Sequence, residues 1–149
     1  ESTIQNLGDI IWAMKTDLGE DAMEVRIRTY CVDLLQPKDM EAQLHFETPM
    51  SEVFDDAAKR KNALLLIKEA LHNAAKYSGA TVISILFSIT DEAYRLVIED
   101  NGRGFDPVLA KKGNGLGTMK VRAENMGGRL IFETSPGNGT RIEWVRELG

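Results

Sequence analysis

The sequence has little of what marks several large classes of protein. Cys31 is its only cysteine, which excludes a disulfide framework or a thiolate cluster within the chain and is typical of a reducing compartment. The net charge of -5 at pH 7 argues against nucleic-acid binding, which needs a basic surface. Apolar runs such as "ALLLI" are far shorter than the roughly 20 residues of a membrane-spanning helix.

With 149 residues, 43% of them hydrophobic, the chain is long enough for one domain with a substantial core. Apolar spacing predicts helices over residues 2 to 14 and 21 to 35, a long helix from Asp55 or Asp56 to about Tyr77, and a helix over residues 118 to 126. Alternation predicts strands over residues 40 to 46, 81 to 89, 94 to 98, 129 to 135 and 141 to 145. This order predicts an α+β fold, with helices on one face of a mixed, mostly antiparallel sheet.

The long helix carries three polar residues on one predicted face. Glu69, Asn73 and Lys76 are spaced i, i+4 and i+7, roughly opposite an apolar stripe. An ordinary solvated face is the simpler interpretation. A carboxylate, an amide oxygen and an ammonium in a row also suit a site for Mg²⁺ and phosphates, because Mg²⁺ prefers oxygen ligands and keeps several waters.

The stretch "KKGNGLGTMK" is rich in glycine before a predicted helix that begins at Thr118. Glycine amides can approach an anion closely, and the first turn of a helix favours negative charge. A flexible surface loop is the competing interpretation. The sequence contains neither the P-loop pattern nor a clean Rossmann glycine pattern.

The stretch "EDNGRGFDP" ends a predicted buried strand with Asp100. A carboxylate in that position can accept a hydrogen bond from the exocyclic amine of adenine, whereas it repels the carbonyl oxygen of guanine. Gly102 and Gly104 leave room for a flat ring beside the backbone. A tight turn alone is the alternative, since Asn-Gly is strong turn chemistry.

Together these stretches resemble a known family. "KEALHNAAKY", "EDNGRGFD", and "GNGLGTMKVRAENMGG" with "SPGNGT" resemble the N box, the first glycine box, and the second glycine box with its closing hairpin in the GHKL ATPase superfamily. The resemblance covers about residues 60 to 147 and is greatest to the ATP-binding catalytic domain of sensor histidine kinases, in the group related to the nitrate and lipid-fluidity sensors. "DIIWAMK" is similar to the end of that group's second dimerisation helix, so we expect a helix remnant and linker over residues 1–18 and a catalytic domain over residues 19–149.

The resemblance implies the two-layer α/β sandwich of the Bergerat-type ATPases and a set of roles on the donor side. It implies that Asn73 holds Mg²⁺, that Glu69 orders or polarises a magnesium-bound water near the γ-phosphate, and that Lys76 neutralises phosphate charge. Positioning and charge neutralisation are the main requirements of phosphoryl transfer.

The resemblance also implies an adenine site and a lid. Asp100 would bind the adenine amine, with a bridging water shared by Thr140, and Gly102 and Gly104 would shape the base pocket. The ATP lid would be formed by the remaining glycine-rich residues, with amides near its end on the phosphates: Gly113, Gly115, Leu116, Gly117 and Thr118.

The acceptor side is expected to lie elsewhere in the parent protein. The family phosphorylates a histidine on its first dimerisation helix, and the chain has only His45 and His72, neither in such a context. We expect ATP binding with little autophosphorylation, and a monomer or weak dimer. The implied partners are the protein's own dimerisation helices and a response regulator, with no nucleic acid, in a cytoplasmic domain of a parent that is commonly membrane-bound. Three alternatives remain: a GHKL-type serine kinase, an ATPase that moves large domains, and a catalytically silent nucleotide-binding module.

Overall fold

The computed structural model describes residues 22–104 and 115–148. Within them lie three α-helices, which we label α1 (Met23–Leu35), α2 (Ala57–Asn73) and α3 (Gly115–Asn125). Five strands are labelled β1 (Glu41–Phe46), β2 (Val82–Thr90), β3 (Ala93–Asp100), β4 (Arg129–Thr134) and β5 (Thr140–Glu147). Short 3₁₀ turns at Gln36–Lys38 and Met50–Glu52 flank β1 in the chain.

The five strands form one sheet in the order β1-β2-β3-β5-β4. Only the β1–β2 pair is parallel, while the other three pairs are antiparallel. Alternate residues of β2, namely Ile83, Ile85 and Phe87, are buried in the same core as the apolar sides of all three helices. The predicted α+β sandwich, with helices on one face of a mixed, mostly antiparallel sheet, is confirmed.

Local chemistry explains where the central helix begins. The Asp56 carboxylate accepts a hydrogen bond from the Lys59 amide at 2.7 Å, which satisfies one of the donors that a helix leaves open in its first turn. The sequence predicted Asp55 or Asp56 as this cap; Asp55 instead pairs with the Lys59 ammonium at 3.2 Å.

An aromatic cluster joins the sheet to the helical layer. Trp144 on β5 packs against Phe54, with ring centroids 5.0 Å apart, and its indole N–H donates to the Ala123 carbonyl on α3 at 3.1 Å. Gly128 lies so close to this tryptophan that an added Cβ would be 2.7 Å from Nε1. The cluster therefore fixes α3 against β5, the strand that begins with Thr140.

Two helix ends differ from the sequence-based prediction. Helix α3 begins at Gly115 rather than at Thr118, so three residues expected in the loop form the first helical turn; an apolar face that includes the buried Met119 and Ala123 favours packing of this turn on the core. The long helix was predicted to run to about Tyr77; its α-helical part ends at Asn73, and Ala74–Ser78 form a π-helical turn. The predicted helix over residues 2 to 14, the segment 1–18 and Gly113 lie outside the described residues.

Candidate functional site

A cavity opens between the helical layer and the sheet, near the end of β3. Its volume is about 400 Å³ when the open space at its mouth is included. Helix α2 and helix α3 form one side, and β2, β3, β4 and β5 form the other. The lining residues are Ala70, Asn73, Ala74, Ile83, Ile98, Glu99, Asp100, Met119, Phe132, Thr140 and Ile142.

The sheet side of the cavity is built from two rows of residues that pair across neighbouring strands. The outer row is polar, with Asp100 opposite Thr140 and Thr140 opposite Thr134. The next row inward is apolar: Ile98, Ile142 and Phe132. Directly opposed residues of adjacent strands share a face of the sheet, so the cavity has an apolar floor with polar groups along one edge, as a flat aromatic ring with polar substituents requires.

Asp100 is the charged group of this edge, and it is buried. One carboxylate oxygen accepts a hydrogen bond from the Gly102 amide at 2.8 Å. Burial raises the pKa of Asp100, although the amides of Gly102 and Thr140 act in the opposite direction. A carboxylate held by main-chain donors at the wall of an apolar cavity is a fixed acceptor for a ligand N–H group.

Thr140 presents a hydroxyl beside that carboxylate. Its Oγ1 lies 3.0 Å from Oγ1 of Thr134, and the Thr134 hydroxyl donates to the Gly139 carbonyl at 3.1 Å. Both threonines belong to the closing hairpin of β4 and β5, so the turn between these strands sets the position of the Thr140 side chain.

The side chain of Asn101, the residue after Asp100, forms hydrogen bonds with the start of β2. Its side-chain oxygen accepts hydrogen bonds from the Thr81 and Val82 amides at 2.9 and 3.0 Å, and its side-chain amide donates to the Thr81 hydroxyl at 2.9 Å. These contacts fasten the start of β2 to the end of β3. The asparagine of "EDNGRG" therefore holds the strand end in place while the aspartate faces the cavity.

Of the three residues that the long helix was predicted to supply to a phosphate site, one lines the cavity. Asn73 lines the cavity, whereas Glu69, one helical turn earlier on α2, is half-buried beside α3. Its Oε2 lies 3.7 Å from Nε of Arg122. Lys76 lies in the π-helical turn and is exposed. The α-helical spacing used to align Lys76 with Asn73 does not apply beyond Asn73, because a π turn has more residues per turn.

The glycines after Asp100 pack against the closing hairpin. Gly104 has a φ of +63°, and an added Cβ would lie 2.1 Å from the Ser135 carbonyl oxygen. On the hairpin side, a Cβ on Gly139 would lie 2.2 Å from the Asp100 carbonyl oxygen. Main chain therefore contacts main chain here, which only glycine permits. Gly102 supplies the amide that Asp100 binds.

The first turn of α3 brings main-chain N–H groups to this end of the molecule. Gly115, Leu116, Gly117 and Thr118 are its first residues, and the first four N–H groups of a helix have no intrahelical acceptor. A Cβ built on Gly117 meets nothing within 4 Å among residues 22–104 and 115–148. Met119, one residue further on, lines the cavity.

The cavity thus collects Asn73, Asp100 and Thr140 among the predicted residues. Its apolar lining was not predicted as part of a site. Alternation within β2 and β3 indicated that Ile83 and Ile98 face a core, but no local pattern indicates that Met119 and Phe132 complete a cavity with them, because their strands and helix meet only in the fold.

The described part of the chain contains no group of three or more histidine, cysteine, aspartate or glutamate side chains that could hold a metal ion. Over residues 22–104 and 115–148, no helix has the length and apolar character needed to cross a membrane.

Comparison with known proteins gives a consistent result. Residues 58–148 match the family model described as histidine kinase-, DNA gyrase B- and HSP90-like ATPase. The chain is 33% identical over 109 residues to the sensor histidine kinase LiaS of Bacillus subtilis, an alignment that covers 72% of the chain and 29% of LiaS. It is 32% identical over 103 residues to the nitrate/nitrite sensor protein NarQ of Escherichia coli, covering 68% of the chain and 18% of NarQ. The chain spans less than a third of the length of these relatives.

The fold has solved counterparts. The blue-light activated histidine kinase of Erythrobacter litoralis superposes with a TM-score of 0.71 at 18% identity, over 97% of this chain and 47% of that structure. At this identity the likeness concerns the fold.

Proposed function

This chain belongs to the histidine kinase-, DNA gyrase B- and HSP90-like ATPase family, and on that premise we propose that it is the catalytic domain that supplies the γ-phosphate of MgATP to a histidine in a two-component sensor kinase. The observation that carries the proposal is the shared cavity of Asn73 and Asp100. Asn73, at the end of α2, and the buried Asp100, at the end of β3, line the same cavity.

The adenine end of the site is Asp100 with Thr140. Asp100 accepts a hydrogen bond from the exocyclic amine, while the apolar row of Ile98, Ile142 and Phe132 packs against the ring. A ring with a carbonyl at the same position places an acceptor against the carboxylate, at a cost of about 1 to 3 kcal/mol. Gly102 and Gly104 shape this end through the main-chain contacts described above.

The phosphate end is assigned to α2 and to the first turn of α3. Asn73 fits a Mg²⁺ ion that takes its other ligands from phosphate oxygens and water, since Mg²⁺ needs only one or two protein oxygens in such sites. When bound, the ion neutralises phosphate charge. Glu69 would order or polarise a magnesium-bound water, and Lys76, which lies in the π-helical turn, would neutralise phosphate charge. The amides from Gly115 to Thr118, with Gly113 before them, receive the phosphates.

The acceptor is proposed to be a histidine on the protein's own dimerisation helices, with a response regulator as the next recipient. His45 lies on β1, an edge strand that contributes nothing to the cavity lining, and is exposed. His72 lies within α2, next to Asn73. A stable radiolabel on this chain alone after incubation with γ-labelled ATP contradicts this part of the proposal.

The donor site is tested by calorimetric titration of ATP with and without Mg²⁺. We expect the wild-type chain to bind MgATP, and Asn73→Ala to lose at least about tenfold in the magnesium-dependent part of the affinity, which is about 1.4 kcal/mol. Asn125→Ala, at an exposed position on α3, is the matched control and should leave binding unchanged. A wild-type chain that gives no heat with adenine nucleotides and Mg²⁺ contradicts the proposal, and so does an Asn73→Ala variant that binds MgATP like the control.

The alternatives from the sequence are less well supported. A serine kinase, a domain-moving ATPase or a silent module shares the family's boxes, but the two relatives described above are named as a sensor histidine kinase and as a nitrate/nitrite sensor protein.

A further inference from the structure

We propose that Thr134 is a specificity-determining residue of the nucleotide site, because it fixes the direction of the Thr140 hydroxyl proton and so leaves the side chains of Asp100 and Thr140 with acceptors only. This inference rests on the proposed function, and it concerns a residue that does not line the cavity. Thr134 lies on β4, opposite Thr140 in the register of the closing hairpin.

The number of protons on the two hydroxyls fixes which of them donates. A threonine hydroxyl has one proton and two lone pairs. The Gly139 carbonyl can only accept, so the 3.1 Å contact between Thr134 Oγ1 and that carbonyl uses the Thr134 proton. The 3.0 Å contact between the two hydroxyls then needs the proton of Thr140. Both contacts are hydrogen bonds at once only if Thr140 donates to Thr134 and Thr134 donates to Gly139.

The consequence for the cavity follows directly. Thr140 lines the cavity beside Asp100, and with its proton directed to Thr134 its oxygen offers only lone pairs to a ligand or to a bridging water. The Asp100 carboxylate, as an ion, also offers only lone pairs. The polar edge of the pocket therefore presents two neighbouring side-chain acceptors, which suits the amine of adenine and opposes the carbonyl of hypoxanthine.

The hairpin holds this arrangement in place. Gly139 contacts the Asp100 main chain closely, since a Cβ on Gly139 would be 2.2 Å from the Asp100 carbonyl oxygen. Thr140 pairs with Asp100 in the sheet. The carbonyl that receives the Thr134 proton is therefore fixed relative to the carboxylate, and the short chain from Thr140 to Thr134 to Gly139 has one direction.

Substitution of Thr134 by valine tests the inference, because valine has the same shape without the hydroxyl. The Thr140 proton loses its acceptor on β4 and can turn toward the cavity, where it can donate to a ring carbonyl. The measurement is the ratio of the affinities of the Mg²⁺ complexes of ATP and ITP, by calorimetry. We expect Thr134→Val to lower this ratio about fivefold, which is the value of one net hydrogen bond of about 1 kcal/mol. Most of the preference for ATP over ITP should remain, since Asp100 is unchanged.

Thr134→Ser is the matched control, because serine keeps the hydroxyl; its ratio should lie within about twofold of the wild-type ratio. A loss of packing alone weakens both nucleotides and leaves the ratio unchanged. An unchanged ratio in Thr134→Val therefore overturns the inference, while a wild-type chain that binds neither nucleotide overturns the proposed function instead.

If Thr134→Val does not fold, proton NMR of the wild-type chain shows which of the two threonine hydroxyls donates to the other. We expect a slowly exchanging hydroxyl proton on Thr140 with a nuclear Overhauser effect to the Thr134 side chain. A Thr134 hydroxyl proton directed at Thr140, with the Thr140 proton exchanging freely, contradicts the proposed direction.

Discussion

The Nε atom of Arg122 lies 3.7 Å from the Oε2 atom of Glu69, so an ion pair joins the helix of the proposed catalytic carboxylate to the helix that follows the glycine-rich stretch. The separation is too long for a hydrogen bond, and the buried Nε of Arg122 has no hydrogen-bond partner in the part of the chain that the structure describes. Each side chain is 26% exposed. The pair gives α3 a direct means of influencing the orientation of Glu69.

Replacement of Arg122 by glutamine should weaken the magnesium-dependent part of ATP binding. With about a quarter of each side chain in water, the pair contributes at most about 1 kcal/mol, which is about fivefold in affinity. The comparison is ATP affinity with Mg²⁺ and with EDTA, for Arg122→Gln and for Arg129→Gln. Arg129 forms an exposed pair with Glu147 at the sheet edge, so its variant should behave as wild type. An equal loss with Mg²⁺ and with EDTA speaks for simple disruption of the helix packing.

We expect Asp100→Asn to stabilise the fold and to weaken ATP binding. Burial raises the pKa of Asp100, so the ionised carboxylate is disfavoured by folding above that pKa, and the folded state gains relative stability as the pH falls toward it. Asparagine keeps an oxygen for the Gly102 amide and carries no charge. We expect its melting temperature at neutral pH to rise by about 4 °C for each 1 kcal/mol gained, while ATP affinity falls by at least about tenfold.

The pH dependence of ATP binding is a second test of whether the Asp100 carboxylate binds the base. The adenine amine favours ionised Asp100, so wild-type affinity should fall as the pH is lowered through the raised pKa of this group. ATP phosphates titrate as well, but they do so equally with Asp100→Asn, and the ratio of wild-type to variant affinity removes their effect. A ratio that stays constant from pH 7.5 to about 5 argues that the Asp100 carboxylate does not bind the base.

How far the sequence predicts this site depends on whether a signal is local. Asp100 ends an alternating strand before two glycines, and Asn73 lies one helical turn after Glu69, so both could be singled out from neighbouring residues. The roles of Thr134 and Arg122 depend on pairings across the fold: Thr134 opposes Thr140 in the hairpin, and Arg122 reaches Glu69 on another helix. One sequence contains no record of such contacts.

The same distinction explains the differences in the fold. The apolar periodicity predicted a helix after the glycines, but Gly115 and Gly117 have poor intrinsic helix propensity, and packing of α3 on the sheet overrides it. The π-helical turn after Asn73 has no signal in apolar spacing either, since one added residue per turn shifts the phase only locally. The strand positions were predicted well because alternation over six to nine residues is a strong pattern.

Glu143 should stabilise the face of the sheet opposite the helices. Its side chain is 7% exposed and lies 2.7 Å from both Arg95 and Arg141. Burial acts to raise its pKa, but the hydrogen bonds from the two arginines prevail and lower it. Glu143→Gln removes the carboxylate that the two guanidinium groups share, although Arg141 keeps its contact with Glu133 at 3.2 Å, and we expect a loss of about 2 kcal/mol in the free energy of unfolding at pH 7.

The loss in Glu143→Gln should depend on pH. A lowered pKa in the folded state means that the stabilisation is present above the ordinary glutamate pKa and disappears as the pH falls through the lowered value. Urea unfolding at pH 7 and at about pH 3 measures the difference. Glu147→Gln removes an exposed partner of Arg129 and should cost no more than about 0.5 kcal/mol at either pH. If Glu143→Gln and Glu147→Gln lose the same free energy of unfolding at pH 7, the buried Glu143 carboxylate does not stabilise the sheet as proposed.

Gly104 and Gly137 offer a matched test of the contact between the strand end and the hairpin. Both have positive φ, +63° and +83°, but a Cβ on Gly104 would lie 2.1 Å from the Ser135 carbonyl oxygen, whereas a Cβ on Gly137 meets nothing within 4 Å among the residues that the structure describes. Gly137→Ala should therefore cost only the backbone strain of about 1 to 2 kcal/mol. Gly104→Ala adds a collision of main-chain atoms and should cost at least about 3 kcal/mol. Because the displaced hairpin carries Thr140, Gly104→Ala should also weaken ATP binding at temperatures where it is still folded, whereas Gly137→Ala should not. Urea unfolding and nucleotide titration of the two variants give both answers, and equal destabilisation by the two alanines is the result that contradicts the close contact.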